Sequence, residues 1–276
     1  MKPDLNPVPR AVQSSGLSDT GRIRPVNEDR LLVDDEHGLY AVADGMGGHR
    51  AGEVASELAI ESLRRYLAGN PSPETAVPSE TLSASARRLL ASIRWSNRRV
   101  HEAAASSPDL HGMGSTIAAV YVAGDSLVAA NVGDSPIFLI REGAIERLSV
   151  SHTLRDEVGA EGVPASLGHV LTRALGPEPS VEPAICEVSA LHEDAVVICS
   201  DGLSNKLSPE EIRDIVLSHP PEWACREMIS RANARGGEDN ISAVVLRFGS
   251  PPQGRAARLR RFLSRRMSRI TALLRR

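Results

Sequence analysis

Aromatic side chains are scarce in this chain of 276 residues, with Phe, Trp and Tyr together at 3%. A nucleic-acid module that stacks bases on aromatic rings needs more of them, so no nucleic-acid partner is expected. The three cysteines, Cys186, Cys199 and Cys225, are odd in number and spaced unlike any zinc or redox motif. They read as buried, reduced core residues. No apolar run approaches the roughly 20 residues that span a bilayer, and MKPDLNPVPRAVQSSG has no signal-peptide core. The expectation is a cytoplasmic protein. GMGGHR is not a dinucleotide fingerprint, because Arg50 stands where the third glycine belongs, and no Gly-Lys-Ser/Thr phosphate loop occurs.

What is present is ordinary globular composition, 41% hydrophobic and 24% charged, with a lopsided charge distribution. Nine arginines and no acid lie between Gly254 and Arg276, which leaves 23 basic against 35 acidic residues in the body. Three segments follow: a Pro-rich flexible arm over 1–15, a folded domain over 16–249, and a basic tail over 250–276. In the tail, Leu259, Phe262, Leu263, Met267, Ile270, Leu273 and Leu274 recur at helical spacing between arginines. A basic amphipathic helix of this kind can lie on an anionic membrane surface, which would hold the protein peripherally at a membrane, or dock on an acidic partner; the alternative is a partly disordered tail or a helix packed on its own acidic body.

Within the domain, residues 16–29 read as a loop-rich lead-in to a strand over 30–33. Ala55, Leu58, Ala59, Leu63, Tyr66 and Leu67 predict an amphipathic helix over 51–68, and a second, longer helix runs from Leu82 to Ala104. From Ser115 short apolar runs alternate with two-residue turns and must pair antiparallel. Ser208-Pro209-Glu210-Glu211 is a capping box, and a further helix covers about 221–235. The fold class is α+β, a central antiparallel β-sandwich flanked by antiparallel helix pairs in α-β-β-α layers.

Asp44-Gly45 ends the apolar run LYAVA, and a lone Asp-Gly is most simply a turn. It is not alone. Asp134 follows LVAANVG, Asp201 follows AVVICS, and Asp239 precedes ISAVVLRF. A sandwich can bring such strand ends to one edge, where close carboxylates repel unless protonated or bridged by cations. All-oxygen ligation favours hard ions such as Mg²⁺ or Mn²⁺, which keep several waters; Glu28 and Asp29 are placed to bind those waters. A water shared between two such ions becomes hydroxide-like at neutral pH, and the ions neutralise a bound phosphoryl group. Arg24 offers a guanidinium for two-point phosphate contact, with Arg22 its local rival. His101, His111 and His152 have no partner at ligand spacing and read as surface or loop residues.

The segments GRIRPVNED, AVADGMGGHRAGEVAS, GMGSTIAAV, NVGDSPIFLI, LTRALG, VVICSDGLSNKLS and GGEDNISAVV, in that order from about Ser15 to Phe248, resemble the motif set of the metal-dependent serine/threonine protein phosphatases, the PPM or 2C type, in their bacterial form. The resemblance implies hydrolysis of phosphoserine and phosphothreonine in protein substrates by a water activated at a binuclear Mn²⁺ or Mg²⁺ centre, opposing a cognate Ser/Thr kinase. It implies that Asp44 bridges two metals, that the Gly45 carbonyl binds one, and that Asp201 and Asp239 complete the first site. Asp134 would help Asp201 hold a third metal, Arg24 would bind phosphate, and Glu28 and Asp29 would hold metal waters. Met46 stands where animal members carry a histidine proposed as general acid, leaving metal-bound water or His49 as candidates. The stretch between His152 and Leu171, where the family's flap lies, is short and lacks the usual His-Pro. The same fold could also serve as a catalytically silent phosphoprotein-binding module, or act on a small phosphate ester. Silence usually costs metal ligands, and none is missing.

Overall fold

A computed structural model describes residues 12–47, 51–69, 82–159, 162–164 and 166–249. Its strands are β1 (Val12–Asp19), β2 (Asp29–Asp34), β3 (Leu39–Met46), β4 (Gly114–Ser115), β5 (Ile117–Ala123), β6 (Ser126–Val132), β7 (Ile137–Arg141), β8 (Ala144–Arg147), β9 (Ala184–Ser189), β10 (Ala195–Cys199) and β11 (Ile241–Phe248). Its α-helices are α1 (Ala51–Ala68), α2 (Ala84–Ser106), α3 (Leu154–Val158), α4 (Asp201–Ser204), α5 (Pro209–Ser218) and α6 (Pro221–Ala234). No described helix is long and apolar enough to cross a membrane.

The strands form two antiparallel sheets, one of five strands in the order β1-β11-β10-β7-β8 and one of six in the order β2-β3-β5-β6-β9 with β4 paired on β3. Short turns enforce the antiparallel sense. Between β7 and β8, Glu142 and Gly143 both have positive φ, 52° and 80°, as a type I′ hairpin requires. The central strands are apolar on both faces because each sheet is covered twice. In β3, Leu39, Ala41 and Ala43 pack under α1 and α2, while Tyr40 and Val42 point between the sheets. In β11, Ala243 and Val245 face α5 and α6, while Val244, Leu246 and Phe248 meet the opposing sheet. The period of two thus divides one apolar run between two cores, giving the expected α-β-β-α layers.

Small residues set the helix-to-sheet distance: Ala51, Ala55 and Ala59 lead the buried stripe of α1, followed by Leu63 and Leu67. Caps fix the starts of other helices. Ser83 Oγ accepts from the Ala86 N–H at the head of α2, and Ser208 and Glu211 form the expected capping box on α5.

Three expectations need correction. Residues 12–15 are not part of a flexible arm, nor is the lead-in from Gly16 a loop throughout. Val12–Asp19 is the edge strand β1, paired with β11 from Val12↔Phe248 to Asp19↔Ile241. Its sequence, VQSSGLSD, lacks apolar alternation because an edge strand has one neighbour and a half-exposed face. His152 is buried rather than superficial, and Cys186, unlike Cys199 and Cys225, is only partly covered. The N-terminal residues 1–11, His49, the Pro/Ser-rich loop expected over 70–79 and the basic tail 250–276 lie outside the described residues.

Candidate metal centre

Each sheet contributes two acids to one end of the sandwich. Asp44 lies in β3, Asp134 just after β6, Asp201 at the start of α4 after β10, and Asp239 just before β11. All four line a single cavity of about 240 Å³ together with Arg24, Glu28, Gly45, Met46, Thr116 and Asn240. Asp29 sits immediately behind this wall, directly opposite Asp44 in the β2–β3 pairing, and is 1% exposed. Arg22 is not part of the lining; its backbone N–H donates to Gly237 O at 2.7 Å.

Backbone contacts explain why these positions are so specific. A Cβ on Gly45 would lie 2.0 Å from the Gly52 carbonyl oxygen and 2.8 Å from that of Glu28, so only glycine lets α1 start against β3. The Glu28 carbonyl accepts from Gly45 N (3.2 Å) and from Ser56 Oγ (2.5 Å), which pins the acidic loop to β3 and α1. Asn240 secures the other side of that loop. Its Nδ2 donates to the carbonyls of Thr20 and Val26, and its Oδ1 accepts from Glu28 N. Beside it, Arg24 grips Asp239 at two points, Nε to Oδ1 at 2.9 Å and Nη2 to Oδ2 at 3.0 Å.

Concentrated negative charge dominates the electrostatics. Burial pushes Asp29 and Asp134 up to about 6, with neighbouring carboxylates adding to both. Asp44 is raised well above the ordinary carboxylate range by burial and by Asp29, Asp201, Asp239 and Asp134. Asp201 is also raised, by burial first and Asp239 next, while a hydrogen bond with Asp44 works the other way. Glu28 is raised by burial. Three buried carboxylate oxygens, Glu28 Oε1, Asp29 Oδ1 and Asp201 Oδ1, have no protein partner. A buried acceptor without a donor is costly, and so is a crowd of carboxylates. Hard divalent cations with their waters answer both, and the all-oxygen donor set suits Mg²⁺ or Mn²⁺. Among the described residues no group of three His, Cys, Asp or Glu side chains is drawn together closely enough to hold an ion by itself. Mg²⁺ characteristically keeps several waters among its ligands.

The structure thus brings together every acid singled out from the sequence, and Arg24 with them. It also adds Thr116, Asn240, His169 and Leu171. Thr116 and Asn240 lie within quoted motifs but carry no charge to draw notice. Leu171 opens the quoted segment LTRALG but is likewise uncharged, and His169 comes from the irregular stretch after α3, where no sequence signal announced it. His101 is on α2, its Nδ1 2.7 Å from Gly176 O, and His111 is exposed; neither lines the cavity.

Comparison with known proteins gives a concordant picture. The family model for protein phosphatase 2C matches residues 24–245. The serine/threonine phosphatase stp of Listeria welshimeri is 36% identical over 251 residues, covering 87% of this chain and 97% of its own. Among solved structures, the catalytic domain of the serine/threonine protein phosphatase PstP in complex with two manganese ions is 32% identical, with a TM-score of 0.75 over 87% of this chain and 99% of that one. The serine/threonine phosphatase of S. agalactiae is 33% identical, with a TM-score of 0.74 over 86% and 99%.

Proposed function

The chain belongs to the protein phosphatase 2C family, and on that premise we propose that it removes phosphate from phosphoserine and phosphothreonine in proteins, opposing a bacterial Ser/Thr kinase. The observation that carries this reading is the convergence of Asp44, Asp134, Asp201, Asp239, Glu28 and Arg24 on one cavity. The manganese pair in the PstP catalytic domain supports the same choice of metal.

In this reading Asp44, the Gly45 carbonyl, Asp201 and Asp239 hold two Mn²⁺ or Mg²⁺ ions, Asp134 and Asp201 hold a third, and Glu28 and Asp29 hold metal waters. Bound there, the ions supply an attacking water that is hydroxide-like at neutral pH and neutralise charge on the phosphoryl group. The chain's own part is placement. Arg24 presents a planar fork to two phosphate oxygens and orients the group. Asn240 keeps the Arg24 loop in register with Asp239 through its three hydrogen bonds. Met46 lines the cavity with a thioether that has no proton to give, so the leaving alkoxide takes its proton from another source.

The catalytic unit is proposed to span residues 12–249, extending the expected boundary to take in β1. The tail over 250–276 is proposed to contact an anionic membrane surface or an acidic partner, on an otherwise cytoplasmic enzyme. Hydrolysis of a phosphothreonine peptide that requires Mn²⁺ and stops with chelator tests the assignment; robust turnover without metal contradicts it.

A further inference from the structure

Asp44 lies in β3 and Asp134 just after β6, and like charges at close range push apart. Between their backbones lies a short buried chain of hydroxyls. Asp44 N donates to Thr116 Oγ1 at 3.0 Å, and Thr116 N donates to Asp44 O at 2.8 Å, so Thr116 holds both sides of the Asp44 peptide. Thr116 Oγ1 then lies 2.9 Å from Ser135 Oγ, the residue after Asp134. The Thr116 methyl closes the remaining gap, since a Cβ on Gly133 would stand 2.7 Å from it. Thr116 is 3% exposed and Ser135 1%, so no water competes for these bonds.

We infer that Thr116 and Ser135 are positioning residues that set the separation of the Asp44 and Asp134 carboxylates, and with it the affinity for the divalent cation that Asp134 helps to hold. The inference rests on the proposed metal centre. Neither hydroxyl need touch the ion. The pair acts through the backbones of residues that do, and outer groups of this kind typically tune metal affinity by 10- to 100-fold.

Calorimetric titration of the chelator-treated full chain with Mn²⁺ tests this without reference to turnover. Thr116→Val keeps the shape and removes the oxygen; it should weaken Mn²⁺ binding about 10-fold or more. Thr116→Ser should bind within about twofold of the parent, because the oxygen is restored. Ser135→Ala cuts only the link to Asp134, and should weaken the lowest-affinity ion while sparing the others. Parent-like number and affinity of ions in folded Thr116→Val and Ser135→Ala overturn the inference, as does a Thr116→Ser loss equal to that of valine. Should Thr116→Val not fold, Ser135→Ala decides alone by the same criterion. A parent chain that takes up no Mn²⁺ overturns the metal centre itself, a separate and recognisable result.

Discussion

Arg24 and Asp239 meet fork to fork, with Nε–Oδ1 at 2.9 Å and Nη2–Oδ2 at 3.0 Å, although 215 positions separate them in the chain. The guanidinium is half-exposed at the cavity mouth, free to serve a phosphate on its open side. Replacement by alanine should cost about 1.5–3 kcal/mol of charge-assisted hydrogen bonding to substrate, or roughly 10- to 100-fold in kcat/KM. Arg24→Lys retains the charge but not the fork, and should recover only part of the loss. Steady-state kinetics on a phosphothreonine peptide reads both; an unchanged kcat/KM for Arg24→Ala would remove Arg24 from the site.

How much of this was legible beforehand depends on residue type. The central strands are apolar on both faces, so Leu39–Ala43 and Ile241–Phe248 are conspicuous in sequence, and the capping box at Ser208 was decisive for α5. The carboxylates were equally visible, since Asp beside Gly at the end of an apolar run recurs. Edge strand β1 was hidden because its partner lies some 230 positions away and its side chains are polar. His152 was misjudged for a related reason. It is buried as an acceptor for the Gly133 N–H, 3.1 Å from Nδ1, a tertiary contact with no local signature. Thr116, Asn240, His169 and Leu171 likewise acquire their places only when the sheets stack.

The raised carboxylates make stability depend on pH in a direction opposite to ordinary acid denaturation. Asp29 and Asp134, near 6 in the fold and about 3.9 when unfolded, bind protons more tightly folded than unfolded. Their contribution is fully present below about pH 4 and is lost as pH rises through 6. Glu211, pulled down to about 2 by Arg235, and Asp156, lowered by Ser151 and Thr153, act in the other sense only below pH 4.5, and within the window the single opposing group among the described residues is His152, lowered by burial, against the two aspartates. With chelator, the melting temperature should therefore be several degrees higher at pH 5 than at pH 7. Saturating Mn²⁺ should shrink or reverse that difference; a chelated protein more stable at pH 7 contradicts the burial of these acids.

Close approach of α1 to β3 predicts a steric test. A Cβ on Gly52 would stand 2.6 Å from Glu28 Oε1 and 2.9 Å from the Gly45 carbonyl carbon. Gly52→Ala gains helix propensity worth about 1 kcal/mol, yet overpacking typically costs 1–3 kcal/mol. Net destabilisation of up to about 2 kcal/mol, with weakened Mn²⁺ binding through the displaced Glu28 and Gly45, should appear in urea unfolding and metal titration. A stabilised variant with unaltered metal binding would show that this contact is looser than described.

The most direct measurement follows phosphate release from a phosphothreonine peptide by the purified chain, with Mn²⁺, with chelator, and with Asp201→Ala. Asp201 is chosen because its buried Oδ1 lacks any protein partner and its carboxylate faces the cavity beside Asp44 and Asp239. The account predicts hydrolysis with Mn²⁺ that falls by at least about 10³-fold on chelation or in Asp201→Ala, since either removes the means of activating water. Turnover that persists undiminished in chelator, or in the folded Asp201→Ala variant, would contradict it.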